Sequence, residues 1–186
     1  MQKLIDQFLD LIRQGSVEVY NEFSLQHELG IFLRSSAVLP GRNIQFERNV
    51  RFFKNNKRLK WTKKEIDISI FSNPAAPDKA IELKYPRNGQ YPETMFSFCK
   101  DIRFLEELKA QAGFKAACLL VLADDPLLYA AGSIAGIYGH FRAGVPLQGK
   151  IPKPTGKSNK FVALNGCYKV QWHPIRNPLR YFYLEV

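Results

Sequence analysis

The sequence predicts an α/β protein in which a central mixed β-sheet is flanked by helices, and three patterns indicate this class. Apolar residues recur at helical spacing through the N-terminal part, up to about Arg34. Two short runs, at 65–71 and 80–84, alternate apolar and polar residues as strands do. A continuous apolar run at 116–122 is typical of a strand covered on both faces. From about 21 to 122 the predicted order is therefore helix, three strands, helix and strand.

Two helices are predicted at the start of the chain. The first ends near Gly15 or Ser16 and precedes the core of the domain. The second runs from about Val17 or Asn21 to Arg34. The apolar stripes that define them are Leu4, Ile5, Phe8, Leu9 and Ile12 in the first helix, and Leu25, Leu29, Phe32 and Leu33 in the second.

The second helix carries a carboxylate in an unusual place. Glu22 lies within or beside the apolar stripe, whereas Glu28 projects further from it. An acid on an inward face needs a partner, so Glu22 is a candidate site residue. The alternative is that Glu22 only complements the helix dipole from the first turn.

Three charged residues are predicted to meet on the central strands, after a half-buried strand at 43–53. In the run at 65–71, alternation places Asp67 on the face opposite the isoleucines. In the following strand, Glu82 and Lys84 share the face opposite the apolar residues. The segment between the two runs is rich in turn-forming residues and predicts a hairpin. We therefore expect Asp67, Glu82 and Lys84 to converge.

The remaining elements follow from breakers and apolar periodicity. A helix is predicted from about Pro92 to Ala112, because proline suits a first helical turn and Gly113 can end the helix. Beyond the strand at 116–122, the predictions are a helix that begins at Asp124-Asp125-Pro126 and runs to about Tyr138, a Pro/Gly/Lys loop at 144–159, and strands or extended edges at 161–172 and 181–186.

Length and composition favour a single domain in the cytoplasm. A chain of 186 residues with 46% hydrophobic content can bury one substantial core, and no linker divides it. We expect one domain over 1–186, with the core at about 21–122 and a C-terminal elaboration of strands at about 123–186. No window has the length of a transmembrane helix, and the first residues do not resemble a signal peptide, so we expect no membrane partner.

The net charge of +10 is concentrated in two segments. The run at 42–64 has a single acid, Glu47, and the loop at 150–160 has none. Such clusters suit a polyanion, because neutralising phosphates releases counterions. The alternative is a solvated face without a partner. The residues predicted to contact nucleic acid in the first segment are Arg51, Lys57, Arg58, Lys60, Lys63 and Lys64, and the basic residues of the loop are Lys150, Lys153, Lys157 and Lys160.

The predicted convergence of charges suggests a metal site. Two strand-borne carboxylates on one face are able to hold Mg²⁺ through oxygen ligands while leaving positions for water and phosphate. A lysine two residues beyond one of them reaches the same space, where it can orient or deprotonate a water or offset phosphate charge. The alternative is an exposed sheet face on which Glu82 and Lys84 form cross-strand ion pairs.

These residues resemble the PD-(D/E)XK nuclease superfamily, whose fold is restriction-endonuclease-like. The matching pieces are Asp67 in Glu-Ile-Asp, Glu82-Leu-Lys84 in the next strand, and a preceding helix with a glutamate. The element order from about 21 to 122 also resembles that core and covers a little over half of the chain. Ile66 occupies the position of the proline in the PD-(D/E)XK motif.

The resemblance implies specific roles. It implies that Asp67 and Glu82 bind Mg²⁺ or Mn²⁺ and that Lys84 assists the attacking water. Glu22, or otherwise Glu28, would complete the site. In the second core helix it also implies phosphate or structural contacts for Lys100 and Arg103.

The function expected from these observations is a metal-dependent endonuclease that hydrolyses phosphodiester bonds, with DNA favoured over RNA as the partner. Nucleases with such a site often pair to cut two strands, so a homodimer is compatible with the prediction, although the sequence shows no interface. The alternative function is a non-catalytic nucleic-acid-binding module that keeps the fold and the basic surface.

Overall fold

A six-stranded mixed β-sheet forms the centre of the protein, and a separate two-stranded sheet lies beside it. The structure is a computed structural model that describes residues 1–87, 89–130, 132–156 and 159–186. Within these residues, no helix combines the length and the apolar character needed to cross a membrane. The α/β class predicted from the sequence, with a mixed central sheet and flanking helices, is confirmed.

The helices and strands have the following bounds. The helices are α1 (Gln2–Arg13), α2 (Glu22–Ser35), α3 (Tyr91–Glu107), α4 (Pro126–Tyr129) and α5 (Ile137–Arg142). The strands are β1 (Asn43–Asn49), β2 (Glu65–Phe71), β3 (Lys79–Lys84), β4 (Ala116–Ala123), β5 (Leu147–Pro152), β6 (Phe161–Tyr168), β7 (His173–Arg176) and β8 (Leu179–Glu185).

The strand order of the large sheet is β1-β2-β3-β4-β8-β7. Strands β1, β2 and β3 pair antiparallel, which confirms the predicted hairpin between the second and third strands. Strand β4 then pairs parallel to β3, and α3 forms the crossover that a parallel pair requires. The C-terminal strands β8 and β7 extend the sheet antiparallel beyond β4.

Two hydrophobic clusters cover the two faces of the sheet. One combines Leu25 of α2 with Ile68 of β2 and Ile81 of β3. The other combines Phe98 of α3 with Ala80 of β3. Because successive side chains of a strand point to opposite faces, Glu82 lies on the same side of β3 as Ala80, towards α3. A carboxylate is thereby directed into the interior between the sheet and a helix.

The start of α2 is fixed by a capping box. The backbone N–H of Ser24 donates to Oδ1 of Asn21 at 2.7 Å, and the Asn21 N–H donates to the Ser24 hydroxyl at 3.1 Å. These two bonds satisfy donors that the first helical turn would leave without partners. Of the two predicted starts, the later one is therefore correct, and Glu22 is the first residue of the helix.

The predicted strand at 43–53 is too long. Strand β1 ends at Asn49, whose side chain accepts a hydrogen bond from the Arg51 N–H at 3.0 Å and begins a short 3₁₀ turn over Val50–Phe52. The predicted shared face of the isoleucines of β2 is also wrong at one position. Ile66 packs in the α3 cluster, and Ile68 packs in the α2 cluster.

Two C-terminal predictions are wrong, and a third extends too far. The helix expected up to about Tyr138 is instead two short helices, α4 and α5, and the connection between them contains Gly132 and Gly136 with φ of 156° and 59°. The loop expected at 144–159 contains strand β5, which pairs with β6 through buried Leu147 and Ile151. Lys157 of that basic loop lies outside the described residues. The extended run at 161–172 ends earlier, because β6 stops at Tyr168.

The small sheet is attached to α3 by a buried carboxylate. Glu106 accepts hydrogen bonds from the backbone N–H groups of Asn165 at 2.8 Å and Gly166 at 2.7 Å, and from the Tyr168 hydroxyl at 2.9 Å. Arg103 supplies the opposite charge at 3.3 Å. Glu106 itself is only 8% exposed, so its carboxylate depends on these partners rather than on water.

We predict that Glu106→Ala lowers the free energy of unfolding by about 2 kcal/mol, because it removes the shared acceptor of three hydrogen bonds between α3 and the small sheet. Urea unfolding followed by circular dichroism measures this loss. The matched control is Glu18→Ala, at an exposed position, where a change within about 0.5 kcal/mol is expected. Equal effects of the two substitutions would contradict the anchoring role of Glu106.

Candidate functional site

The hairpin of β2 and β3 holds two carboxylates close together, each bonded to the backbone of the other strand. The backbone N–H of Asp67 donates to Oε1 of Glu82 at 3.3 Å, and the Leu83 N–H donates to Oδ2 of Asp67 at 2.7 Å. Asp67 is 8% exposed and Glu82 is 0% exposed. The alternative of an exposed sheet face is therefore wrong. Burial of charged groups at this cost requires compensation from their surroundings.

A third carboxylate, Asp101, reaches the same place from α3. It is 3% exposed, and its Oδ1 lies 3.2 Å from Nζ of Lys63. The sequence prediction did not include it. The signal was present, because Asp101 is three residues after Phe98 and four before Leu105, within the apolar stripe of the helix.

The ammonium of Lys63 lies between these three carboxylates. It contacts Glu82 directly, and its Nζ is 3.6 Å from Oδ1 of Asp67. The sequence prediction placed Lys63 on a nucleic-acid-binding surface, but its side chain is 28% exposed and occupied by these contacts. The physical reason is electrostatic: Lys63 lies two residues before β2, within reach of three buried carboxyl groups that need a cation. It is a member of the charged cluster.

Lys84 connects the cluster to α2. Its Nζ donates to Oε1 of Glu22 at 2.9 Å and lies 4.0 Å from Oδ2 of Asp101. The second oxygen of Glu22 accepts from the Tyr85 N–H at 3.3 Å. Glu28 instead lies beside His27, with 3.4 Å between the His27 ring nitrogen and its carboxylate. Of the two glutamates left open by the sequence, Glu22 is the one that reaches Lys84.

A small pocket of about 270 Å³ opens beside Asp67. Gln26 donates to the backbone oxygen of Asp67 at 2.9 Å and to Oε1 of Glu47 at 2.6 Å. Glu47 has a φ of 48°, a conformation uncommon for residues other than glycine. The sequence predicts neither Gln26 nor Glu47 as a site residue, because Glu47 is only the single acid of a basic run. They support β2 at the position where Asp67 projects.

The electrostatics follow from this burial. Burial, together with the negative charge of Asp67, raises the pKa of Glu82 well above its ordinary value, although Lys63 opposes the shift. Burial also raises the pKa of Asp101 against the opposing charges of Lys84 and Lys63. For both lysines burial works in the other direction, but the surrounding carboxylates outweigh it and raise the pKa. Both lysines are therefore charged at neutral pH.

Carboxyl groups outnumber ammonium groups in the cluster. Four carboxylates face the two ammonium groups of Lys63 and Lys84. Oδ2 of Asp101 is buried and makes no hydrogen bond within the described part of the chain. All of the ligand atoms that these carboxyl groups offer are oxygens, which suit a hard cation. The carboxylates are Glu22, Asp67, Glu82 and Asp101.

As the side chains stand, the geometry is not that of a formed metal site. Among the residues that the structure describes, no group of three or more acidic, histidine or cysteine side chains is arranged to hold a metal ion. The ammonium of Lys63 occupies the space between the carboxylates. Charge and donor chemistry thus fit a divalent cation, and binding requires Lys63 to move.

The other predicted basic residues divide into two groups. Arg103 is held by Glu107 at 3.1 Å and by Glu106 at 3.3 Å, so its contacts are structural. The rest are exposed and are not in contact with the carboxylate cluster: Arg51, Lys57, Arg58, Lys60, Lys64 and Lys100.

Comparison of the chain with protein-family models, with curated proteins and with solved structures found no significant match. The function must therefore be inferred from the geometry and chemistry of the site.

We predict that Lys63→Met lowers the free energy of unfolding by about 3 kcal/mol at neutral pH, because it leaves buried carboxylates without their cation. Burial raises the pKa of Glu82 and Asp101, and Lys63 opposes the rise, so its removal should raise both pKa values further. A carboxyl whose native pKa exceeds its unfolded value stabilises the fold while it is protonated, and that stabilisation is lost as pH rises through the native pKa. The deficit should therefore be larger at about pH 8 than at about pH 5.

Urea unfolding of the wild type and the variant at both pH values measures the deficit. Lys57→Met, at an exposed position, is the control and should change the stability by less than about 0.5 kcal/mol. A deficit that matches the control, or that does not depend on pH, would show that Lys63 does not compensate the buried acids.

Proposed function

We propose that this protein is a metal-dependent endonuclease that hydrolyses phosphodiester bonds in DNA. The observation that carries the proposal is the buried cluster of Asp67, Glu82 and Asp101, with Lys84 at its edge. Enzymes that cleave phosphodiesters commonly use carboxylates to hold divalent cations and a cation to offset developing phosphate charge.

The fold supports the same proposal. Helix α2 precedes three antiparallel strands, and α3 then leads to β4, which pairs parallel to β3. This order is the one expected for a restriction-endonuclease-like core, and the carboxylates lie on its second and third strands. The resemblance of Asp67 and Glu82-Leu-Lys84 to the PD-(D/E)XK superfamily thus has a matching arrangement of elements around it.

Asp67 and Glu82 would hold Mg²⁺ or Mn²⁺, with Asp101 as an additional oxygen donor. The excess of carboxyl over ammonium groups in the cluster and the unsatisfied Oδ2 of Asp101 support this assignment. When bound, the cation supplies a Lewis acid that polarises the phosphate and acidifies a water. Lys63, whose long side chain is flexible, would leave the space between the carboxylates.

The position of Lys84 suggests its role. Its Nζ lies at the edge of the cluster, 4.0 Å from Oδ2 of Asp101, and donates a hydrogen bond to Glu22. From there it can orient the attacking water and offset the charge on phosphate. Glu22 acts as a positioning residue, since it holds Nζ of Lys84 at 2.9 Å.

The surface around the site suits nucleic acid. Five exposed cations precede β2 in the segment that ends at Lys63: Arg51, Lys54, Lys57, Arg58 and Lys60. Because this segment leads into the cluster at Lys63, its exposed cations can bind phosphates of a nucleic acid whose backbone reaches the site.

One observation favours a second candidate function. Lys63 already neutralises part of the charge of the three carboxylates, as a site that binds no metal ion would require. The second candidate is a non-catalytic nucleic-acid-binding module that keeps the fold and the basic surface. Its binding would weaken with salt and with neutralisation of Lys57, Arg58 and Lys60, and would not respond to Asp67→Asn.

We predict that the wild type nicks supercoiled plasmid DNA with Mg²⁺ or Mn²⁺, and that Lys84→Ala lowers the rate by at least about 100-fold, because the fixed charge beside the phosphate is lost. Gel electrophoresis over time measures the rate. Lys79→Ala, a lysine of the same strand without an ion pair in the described residues, is the control and should retain the wild-type rate. If the wild type is inert, or if both variants cleave equally well, the proposed site fails.

We also predict that titration calorimetry detects Mn²⁺ binding to the wild type and loses it in Asp67→Ala, since removal of one carboxylate leaves too few oxygen donors. Asp78→Ala is the control, because this aspartate pairs with Lys115 and Arg42 away from the cluster. Unchanged Mn²⁺ binding in Asp67→Ala would place the metal elsewhere. Absence of binding to the wild type would favour the non-catalytic module.

A further inference from the structure

A second pocket, of about 540 Å³, lies between α3 and β6. Its volume is in the range of sites that hold a small organic group. Its lining combines cations with aromatic rings, and the residues that matter to the inference are Thr62, Phe96, Lys100, Lys160 and Phe161.

The cations of this pocket are available for an anionic ligand. Lys100 and Lys160 are exposed, and neither forms an ion pair with any described residue. Arg103 also lines the pocket, but Glu106 and Glu107 hold its guanidinium. Two unpaired ammonium groups at one pocket suit phosphate oxygens.

An aromatic ring is exposed beside these cations. Phe161 is 50% exposed at the start of β6, and Nζ of Lys150 lies 4.9 Å from its ring centroid. A half-exposed phenylalanine is a site on which a nucleobase can stack, and such stacking does not depend on the identity of the base.

The pocket adjoins the carboxylate cluster through two elements. Thr62 precedes Lys63 in the chain, and Lys100 precedes Asp101 on α3. The position of Thr62 is fixed, because its N–H and its hydroxyl each donate to Glu107 at 2.8 Å. A nucleotide in this pocket would therefore belong to a strand whose phosphates pass the cluster.

We propose that this pocket binds one unpaired nucleotide of single-stranded DNA. The phosphate contacts Lys100 and Lys160, and the base stacks on Phe161. In a duplex both faces of each base are covered by neighbouring base pairs, so only an unpaired nucleotide offers a face to the ring. This inference rests on the proposed function for its choice of DNA, and it narrows the substrate to DNA with a single-stranded segment beside the scissile bond.

The test is the fluorescence anisotropy of a labelled single-stranded oligonucleotide and of the duplex with the same sequence, measured in EDTA so that no cleavage occurs. The wild type should bind the single strand more tightly than the duplex. Phe161→Ala should weaken binding of the single strand about tenfold and leave duplex binding unchanged. Phe161→Trp keeps an aromatic face and should retain the wild-type affinity.

The matched control is Ile31→Ala, which removes an equally exposed apolar side chain, 50% exposed, from α2. It should bind like the wild type. The inference is overturned if Phe161→Ala binds the single strand as the wild type does, if it loses affinity for single strand and duplex equally, or if Phe161→Trp fails to restore binding.

A cleavage assay with Mg²⁺ separates this inference from the proposed function. Single-strand binding that depends on Phe161, without cleavage by the wild type, would support nucleotide binding in the pocket and contradict the nuclease function. Cleavage by the wild type together with unaltered binding by Phe161→Ala would overturn the pocket alone.

Discussion

The burial of Glu82 in the centre of the sheet is the constraint on which the rest of the site depends. A fully buried carboxylate on β3 must find compensation, because burial alone favours its neutral form. The structure supplies Lys63 from the preceding segment and the backbone N–H of Asp67 from the neighbouring strand. Asp101 adds a third buried carboxyl group at the same place, and folding alone does not require a third acid there. An excess of buried acid is typical of a functional site.

Each surrounding element has a role in holding this cluster. The capping box of α2 sets the first residue of the helix at Glu22, which then reaches Lys84. Gln26, one turn further, donates to the backbone of β2 behind Asp67. On the other side of the sheet, α3 presents Asp101 and, at its end, the two glutamates that fix the small sheet and Thr62. The site is thus assembled from contacts that are distant in sequence.

The sequence was sufficient for the part of the site that strand alternation controls. Asp67, Glu82 and Lys84 lie on short strands joined by a turn, and they converge as the pattern predicts, although Ile66 departs from the predicted alternation. The apolar stripe of α3 indicates an inward position for Asp101, although its basic neighbours Lys100 and Arg103 are typical of an exposed face. The inward turn of Lys63 was not predictable, because it depends on how an irregular segment enters β2.

Tertiary pairing also decided the elements that sequence pattern misassigned. Strand β5 contains Gly149, Lys150 and Pro152 and only two large apolar residues, Leu147 and Ile151, and it becomes a strand because β6 pairs with it. The positive φ of Glu47 carries no sequence signal, since glycine is absent there. Local pattern thus defines the central hairpin, and long-range packing defines its supports.

The most direct test of the central claim is a crystal structure of the protein soaked with Mn²⁺, with anomalous diffraction measured to locate the ion. The account predicts an anomalous peak within coordination distance of Asp67 and Glu82, with the ammonium of Lys63 displaced from between them. A structure at saturating Mn²⁺ with no peak there, and with Lys63 still between the carboxylates, would contradict it.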